Sequence, residues 1–273
     1  MTLRSLLSFL GIFSLVLSGA HAQHDAQRDS IMGVSRVDRA MFEKAFLNPR
    51  NDGGAEETWI VNLLMLLAED EMKAAMSLAK EGLENGFNPD RLWMPGELLE
   101  KLRAQKGFSE LPGIEAVESI LHGPMIGNVT ADSASVWVRT KGAQSLKLQI
   151  VIAWSADPVA VEEVVTTEEN TIAKISFTEL QPGTTYLGSQ EGSESEEPLF
   201  QFTTRPAAGE SSKFKVAFGG GAGYVPEYHR MWKTIADHSP DALLMLGDNV
   251  YIDDPEYVLT QQYCYHRRQS EPL

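Results

Sequence analysis

The spacing of apolar positions changes character twice along the chain. Between residues 23 and 118 it is helical. The run "ETWIVNLLMLLAEDEMKAAMSLAKEGLENG" sets Trp59, Leu63, Leu66, Leu67, Met72, Ala75 and Met76 three and four residues apart, the repeat that gathers side chains on one helix face. Thr58 is a candidate N-cap and Gly86 a stop. A second helix is expected after Pro95, through "GELLEKLRAQKG". Met65, Met72 and Met76 read as packing residues, since methionine fills irregular cores. From about residue 120 the period becomes two: "SASVWVRT", "SLKLQIVIAW", "TIAKISFTEL" and "PLFQFTT" alternate apolar and polar. Leu146, Leu148, Ile150, Ile152 and Trp154 would share one strand face; Ala173, Ile175 and Phe177 another; Phe200 and Phe202 a third. Turn signals such as "QPGTT" separate the runs. Several short strands at such spacing predict an antiparallel β-sandwich.

A polar connector, "RPAAGESSK", precedes the third pattern. "FKVAF" at 214–218 is a short apolar strand, followed by the glycine-rich "GGGAGYVP". "EYHRMWKTIADH" at 227–238 reads as a helix with Met231, Trp232 and Ile235 on its buried side. "DALLML" at 241–246 is nearly all apolar, as expected for a parallel strand covered on both faces. The unit is β-α-β. The predicted fold class is therefore α+β and multidomain: a leader at 1–22, a helical region at 23–118, a sandwich at 119–206 and a β-α-β start of an α/β domain at 213–273. Loops that follow strands in such sheets lie at the carboxyl edge, where sites are placed.

Candidate chemistry sits at that edge, in "LLMLGDNVYIDD". Asp248 lies two residues past the strand, held by a rigid element yet outside the sheet. Tyr251 follows three residues later and is placed to turn back toward the same point. A carboxylate with a phenol suits a hard, highly charged cation such as Fe3+, which would pull the phenol's pKa far below its usual ~10. The same spacing also describes an aspartate in a turn and a tyrosine in a core. Dinucleotide binding is a rival, but a GxGxxG pattern from Gly219 needs glycine where Tyr224 stands, and Pro226 delays the helix. "GGGAG" lacks the Lys-Ser/Thr of a P-loop.

Composition narrows the classes. The chain of 273 residues is 43% apolar and 22% charged, as in globular proteins. Its start, "MTLRSLLSFLGIFSLVLSGAHAQ", has Arg4, an apolar run from Leu6 to Leu17 and a small-x-small site at Ala20-His21-Ala22. This predicts a signal peptide cleaved after Ala22 and a secreted or periplasmic product, since the run is short of the roughly 20 residues that span a bilayer. No later stretch spans, so no membrane partner is expected after cleavage. The formal charge is −15; without Arg4 it is 22 basic against 38 acidic side chains. That argues against nucleic acid or anionic lipid as a partner. It does not exclude a phosphate ester, because bound cations dominate a local field. The single cysteine, Cys264, rules out an internal disulfide framework and reads as a buried apolar residue. Asn128-Val129-Thr130 matches a glycosylation sequon, a short and common pattern. Oligomeric state is not set by the sequence.

Two resemblances add to this. "LQPGTTY" with "FQFTTRP" resembles the end of a fibronectin type III domain, which implies that the Tyr186 hydroxyl bonds back to the chain as a corner tyrosine. "HGPMIGNVTADSASVWVRT", "FKVAFGGG", "LLMLGDNVYIDDP" and "YCYHRRQS", in that order over 120–271, look like PhoD-type alkaline phosphatases. That family is secreted, with a fibronectin-like N-terminal domain and an α/β metallophosphatase domain. The resemblance implies an Fe3+ and Ca2+ centre, with Asp248 bridging the metals and Tyr251 binding the ferric ion as phenolate. The two metals would polarise the phosphoryl oxygens of a phosphate ester and activate an attacking water.

The chain departs from the family in two places. The family's first strand ends Phe-Gly-Ser-Cys, and that cysteine ligates iron; here Gly221 stands in its place, leaving a water, Asp253 or Asp254 to substitute. The family's later ligand motifs are not in this sequence, so the chain is expected to be truncated early in the catalytic domain, inactive alone, and left with exposed apolar strand faces. His122, His229, His238 and His266 read as surface or packing residues, and Arg267 and Arg268 as a solvated or core-bracing pair. The alternative is a non-enzymatic exported binding module built on the sandwich.

Overall fold

The computed structural model describes residues 26–46, 54–155, 157–167, 171–193, 195–222, 230–252 and 254–270. The predicted signal peptide lies outside them, as do His229 and Asp253. No helix of the described residues is long and apolar enough to cross a membrane. The chain divides into two compact units. One takes the chain up to Phe87, Phe218–Thr234 and Leu244–Arg268; the other takes Asn88–Ala217, Ile235–Leu243 and the residues after Arg268.

The first unit is helical: α1 (Ala26–Ser35), α2 (Arg39–Phe46), α3 (Gly54–Ala68) and α4 (Met72–Glu84), with α7 (Val258–Gln269) from the far end of the sequence. The single long helix expected around Thr58–Gly86 is two helices. Asp70 takes a positive φ of 58°, Glu71 N–H donates to the Leu66 carbonyl and Asp70 N–H to that of Leu67. This is a Schellman-type stop with aspartate where glycine is usual. Thr58 falls inside α3 rather than at its cap. α3 is buried on nearly every side, with Trp59, Ile60, Leu63, Leu64 and Leu67 all in the core. Trp59 Nε1 donates to the Leu78 carbonyl across the break, and Gly82 of α4 lies against the indole, where a Cβ would come within 2.2 Å of it.

α7 docks through polar contacts although its mean hydropathy is low. Tyr263 Oη donates to Glu57 Oε2 at 2.5 Å, with both side chains buried. Thr260 Oγ1 is 2.8 Å from Ser35 Oγ. Arg36 pairs with Asp254 at 3.1 Å, and that carboxylate raises the guanidinium pKa further.

The second unit holds the predicted sandwich. Strands are β1 (Ile120–Gly127), β2 (Ala134–Thr140), β3 (Ser145–Ile152), β4 (Pro158–Val165), β5 (Ile172–Phe177), β6 (Thr185–Gln190) and β7 (Phe200–Thr203). They form antiparallel sheets of order β1-β2-β5 and β4-β3-β6-β7. Inward positions from both sheets make one core: Val136, Val138, Leu146, Leu148, Ile150, Ile175, Phe177, Tyr186, Phe200 and Phe202. Gly188 pairs with Phe200, and a Cβ there would lie 2.0 Å from the ring. Trp154 does not join the β3 face, because the strand ends at Ile152, and the indole is 76% exposed. Residues 88–118, with α5 (Glu97–Arg103), pack on the sandwich. Lys141 Nζ donates to the Val117 carbonyl, and the Lys141 ammonium and Arg103 guanidinium stand 4.9 and 5.4 Å from the centre of the Trp93 ring.

A two-stranded sheet of β8 (Val216–Gly219) and β9 (Ala242–Met245), with α6 (Arg230–Asp237) between them in sequence, completes the described elements. Asp241 N–H donates to the Lys215 carbonyl and Leu246 N–H to that of Gly219, so both strands advance together and are parallel. The expected cover on both faces is absent among the described residues: Phe218, Leu244 and Leu246 are exposed. Met231, Trp232 and Ile235 are not buried either. One helix and two strands are too few to enclose an apolar layer.

The Tyr186 hydroxyl accepts the Gln181 N–H at 2.8 Å, five residues upstream. Tyr186→Phe is expected to strand that part-buried donor and destabilise the chain by about 1–3 kcal/mol, read as a lower urea midpoint at unchanged slope.

Candidate metal-donor site

The site is built by two loops that follow parallel strands. The loop after β8 lies on the loop after β9 backbone to backbone. Gly221 N–H points to the Gly247 carbonyl at 3.4 Å, and Ala222 N–H donates to the Asp248 carbonyl at 2.9 Å. The approach is close enough that a Cβ on Gly220 would stand 3.0 Å from the Gly247 oxygen. The β9 loop turns through two residues of positive φ, Gly247 at 126° and Asp248 at 52°. Glycine takes the first without strain, and aspartate is among the few side chains that tolerate the second.

That turn brings the two predicted donors together. Tyr251 Oη donates to Asp248 Oδ2 at 3.2 Å. Gly221 joins them: its Cβ position would lie 3.9 Å from Tyr251 Oη, so a side chain at 221 would project toward the same point. A phenol donating to a carboxylate is the protonated form of a two-oxygen chelate. A hard cation there would take the place of the shared proton.

Other candidates are engaged elsewhere. Asp254, proposed as a substitute ligand, is buried and paired with Arg36. Cys264 is buried on α7, as the sequence suggested. His266 is buried on the same helix. Arg267 stands over the Tyr263 ring at 5.3 Å and Arg268 over Trp232 at 4.7 Å, so both brace aromatic side chains. His238 is exposed at the end of α6, where its carbonyl accepts Lys215 Nζ. Among the described residues no group of three or more His, Cys, Asp or Glu is placed to hold a metal. Two oxygen donors suit part of the shell of one hard cation, but they do not complete a dinuclear centre.

No family model and no curated protein matches the chain significantly. Among solved structures it is similar to the structure of PhoD, at 17% identity and a TM-score of 0.43, over 56% of this chain and 38% of that one. The chain thus spans well under half of that protein. It is also similar to the fn3 domain of human collagen alpha-1(XX) chain, at 20% identity and a TM-score of 0.22, over 36% of this chain and 94% of that one. The sensor domain of the anti-sigma factor RsgI4 in Pseudobacteroides cellulosolvens matches at 20% identity and a TM-score of 0.25, over 33% and 98%.

His122, read from sequence as a surface or packing residue, is buried on β1. Burial first, then the charges of Arg139 and Arg91, lower its pKa to about 3. The folded imidazole stays neutral while the unfolded one protonates near 6.5. Between those values the unfolded chain binds the extra proton, so stability falls as pH drops from about 6.5 toward 3, by up to about 1.4 kcal/mol per unit. His122→Gln is expected to flatten this dependence in urea titrations between pH 7 and 5; an unchanged slope would assign it to other groups.

Proposed function

We propose that Asp248 and Tyr251 are metal donors of an exported, metal-dependent phosphoester hydrolase of the PhoD-like alkaline phosphatase type, and that this chain by itself does not turn over substrate. The observation that carries the reading is the 3.2 Å approach of Tyr251 Oη to Asp248 Oδ2 at the end of a parallel strand. The motif order from "HGPMIGNVTADSASVWVRT" to "YCYHRRQS" supports the reading, and Gly221, which stands in the sequence where the resemblance implies the family's cysteine, lies beside the phenol. The two donors present among the described residues are too few to clamp a phosphoryl group between two metals, which is the reason to expect no activity.

Titration of the purified chain with Fe3+ is expected to give a phenolate-to-iron absorption band that is lost in Tyr251→Phe and weakened in Asp248→Ala. Gly221→Cys is expected to tighten the binding and add thiolate absorption, despite about 1–2 kcal/mol of strain from the residue's φ of 72°. A band that persists in Tyr251→Phe removes the ligand assignment. Hydrolysis of a chromogenic phosphate ester by this chain, abolished by Asp248→Ala, would overturn the expected inactivity.

The binding-module reading rests on a different observation. Trp154 is 76% exposed, and Val159, Val161 and Val165 are exposed along β4, an edge strand. Metal-independent binding to a polymer, lost in Trp154→Ala, would favour it.

A further inference from the structure

The second unit carries a cleft of about 720 Å3 along one edge of its four-stranded sheet, and the residues that line it all belong to that unit. β7 is the end strand there. Thr204 N–H donates inward to the Thr184 carbonyl, and Arg205 N–H outward to that of Thr130. Alternation along the strand therefore turns the N–H and C=O of Gln201 and Thr203 outward, and both residues line the cleft. Those groups have no backbone partner among the described residues. Such an edge is a template for a further strand. Arg205 and Lys213 line the same cleft. Arg205 Nε donates to the Val129 carbonyl at 2.9 Å, and its guanidinium carbon lies 4.5 Å from the centre of the Phe214 ring. These contacts hold the group and leave its terminal nitrogens without a hydrogen bond to the described residues. Neither cation has a carboxylate partner among those residues. Asp241, also in the lining, accepts the Lys215 N–H at 2.7 Å.

We propose that the β7 edge and this cleft bind an extended peptide segment of alternating acidic and apolar residues, added to the sheet as a further strand. Its backbone pairs with Gln201 and Thr203. Its side chains alternate between the two faces of the sheet. Gln201, Thr203 and Arg205 share the exposed parity of β7. On that face a carboxylate meets the guanidinium fork, and Lys213 supplies a second positive charge in the same cleft. On the other face, Phe202 and the partly buried Ile126 line the cleft and belong to the sandwich core, which suits apolar side chains. The local balance opposes that of the whole chain, whose net charge is −15: here Arg205 and Lys213 stand against Asp241. The site lies at the opposite edge of the sheet from β4 and shares no residue with Asp248 and Tyr251, so it depends on neither reading above.

The test is fluorescence anisotropy of the labelled peptide acetyl-Val-Glu-Val-Glu-Val-Glu-Val-amide, titrated with the full chain at about 0.15 M salt. Saturable binding is expected, with a Kd of about 0.1 mM or tighter. The same peptide with lysine in place of glutamate is expected to bind about tenfold more weakly, although the acidic chain attracts it at long range. Arg205→Met is expected to weaken binding about tenfold. Lys213→Gln is expected to weaken it about threefold, and covers the case in which loss of the Val129 contact unfolds the Met variant. Gln201→Pro removes an outward N–H that the fold does not use and leaves both charges in place; it is expected to weaken binding about tenfold. No binding at about 1 mM chain, equal or tighter binding of the lysine peptide, or unchanged binding in Gln201→Pro would each overturn the proposal. A dimer of the chain alone that Gln201→Pro dissociates would place a second copy on this edge and overturn it as well.

Discussion

The backbone of Gly220–Ala222 rests against that of Gly247 and Asp248, and every feature of the donor site depends on that contact. A side chain at 220 would press on the Gly247 carbonyl, 3.0 Å from its Cβ. The contact fixes the Asp248 backbone through the Ala222 N–H bond. It thereby holds the carboxylate at a φ that most residues avoid, and sets the turn by which Tyr251 comes back to it. The glycine-rich stretch, which looks on its own like a degraded nucleotide loop, is explained by this packing. Gly220 serves the close backbone approach, and Gly221 takes a φ of 72° that suits glycine.

The helical unit shows how a poorly apolar helix is held. α7 contributes Tyr263 and Thr260 to buried positions, and Asp254 lies in the turn before it. Each of these three is tied to a partner more than two hundred residues away: Tyr263 to Glu57, Thr260 to Ser35, and Asp254 to Arg36. Buried polar groups are tolerable only when paired. The pairing therefore specifies one docking geometry, where an apolar stripe would allow several. Asp254 illustrates the consequence for chemistry: a carboxylate that completes such a pair is not available to a metal nearby.

The sandwich was legible because its alternation is strong and its core positions fall on one parity. Leu146, Leu148 and Ile150 enter the core as the period requires, as do Ala173, Ile175 and Phe177. β4 and β6 were harder to read. "PVAVEEVV" puts two acids together on an exposed edge, and "TYLGSQ" carries a glycine demanded by the Phe200 ring, so neither shows a clean alternation. The break at Asp70 was missed because aspartate, not glycine, takes the left-handed position. The Asp248–Tyr251 approach was readable from a spacing of three residues. The pairing of His122 with Arg139 was not, since the two lie on separate strands and meet only through register. Periodicity reports which face a residue occupies, but not which distant segment covers that face.

Net charge and local field part company in this molecule. The acidic balance of the whole chain is a statement about its surface and its long-range field, which salt screens within about 10 Å. Arg91, Arg139 and His122 lie under that surface, where the effective dielectric is lower and neighbours dominate. The depressed pKa of His122 is the sign of this: a net charge of −15 would raise it, yet burial and two adjacent guanidinium groups lower it. The same reasoning applies at Asp248 and Tyr251 with the sign reversed. There an acidic background favours a cation from a distance, and the proposed donors are two oxygens set by one backbone contact. Composition thus bounds what approaches this protein, while register and turn geometry set which few residues meet beneath its surface.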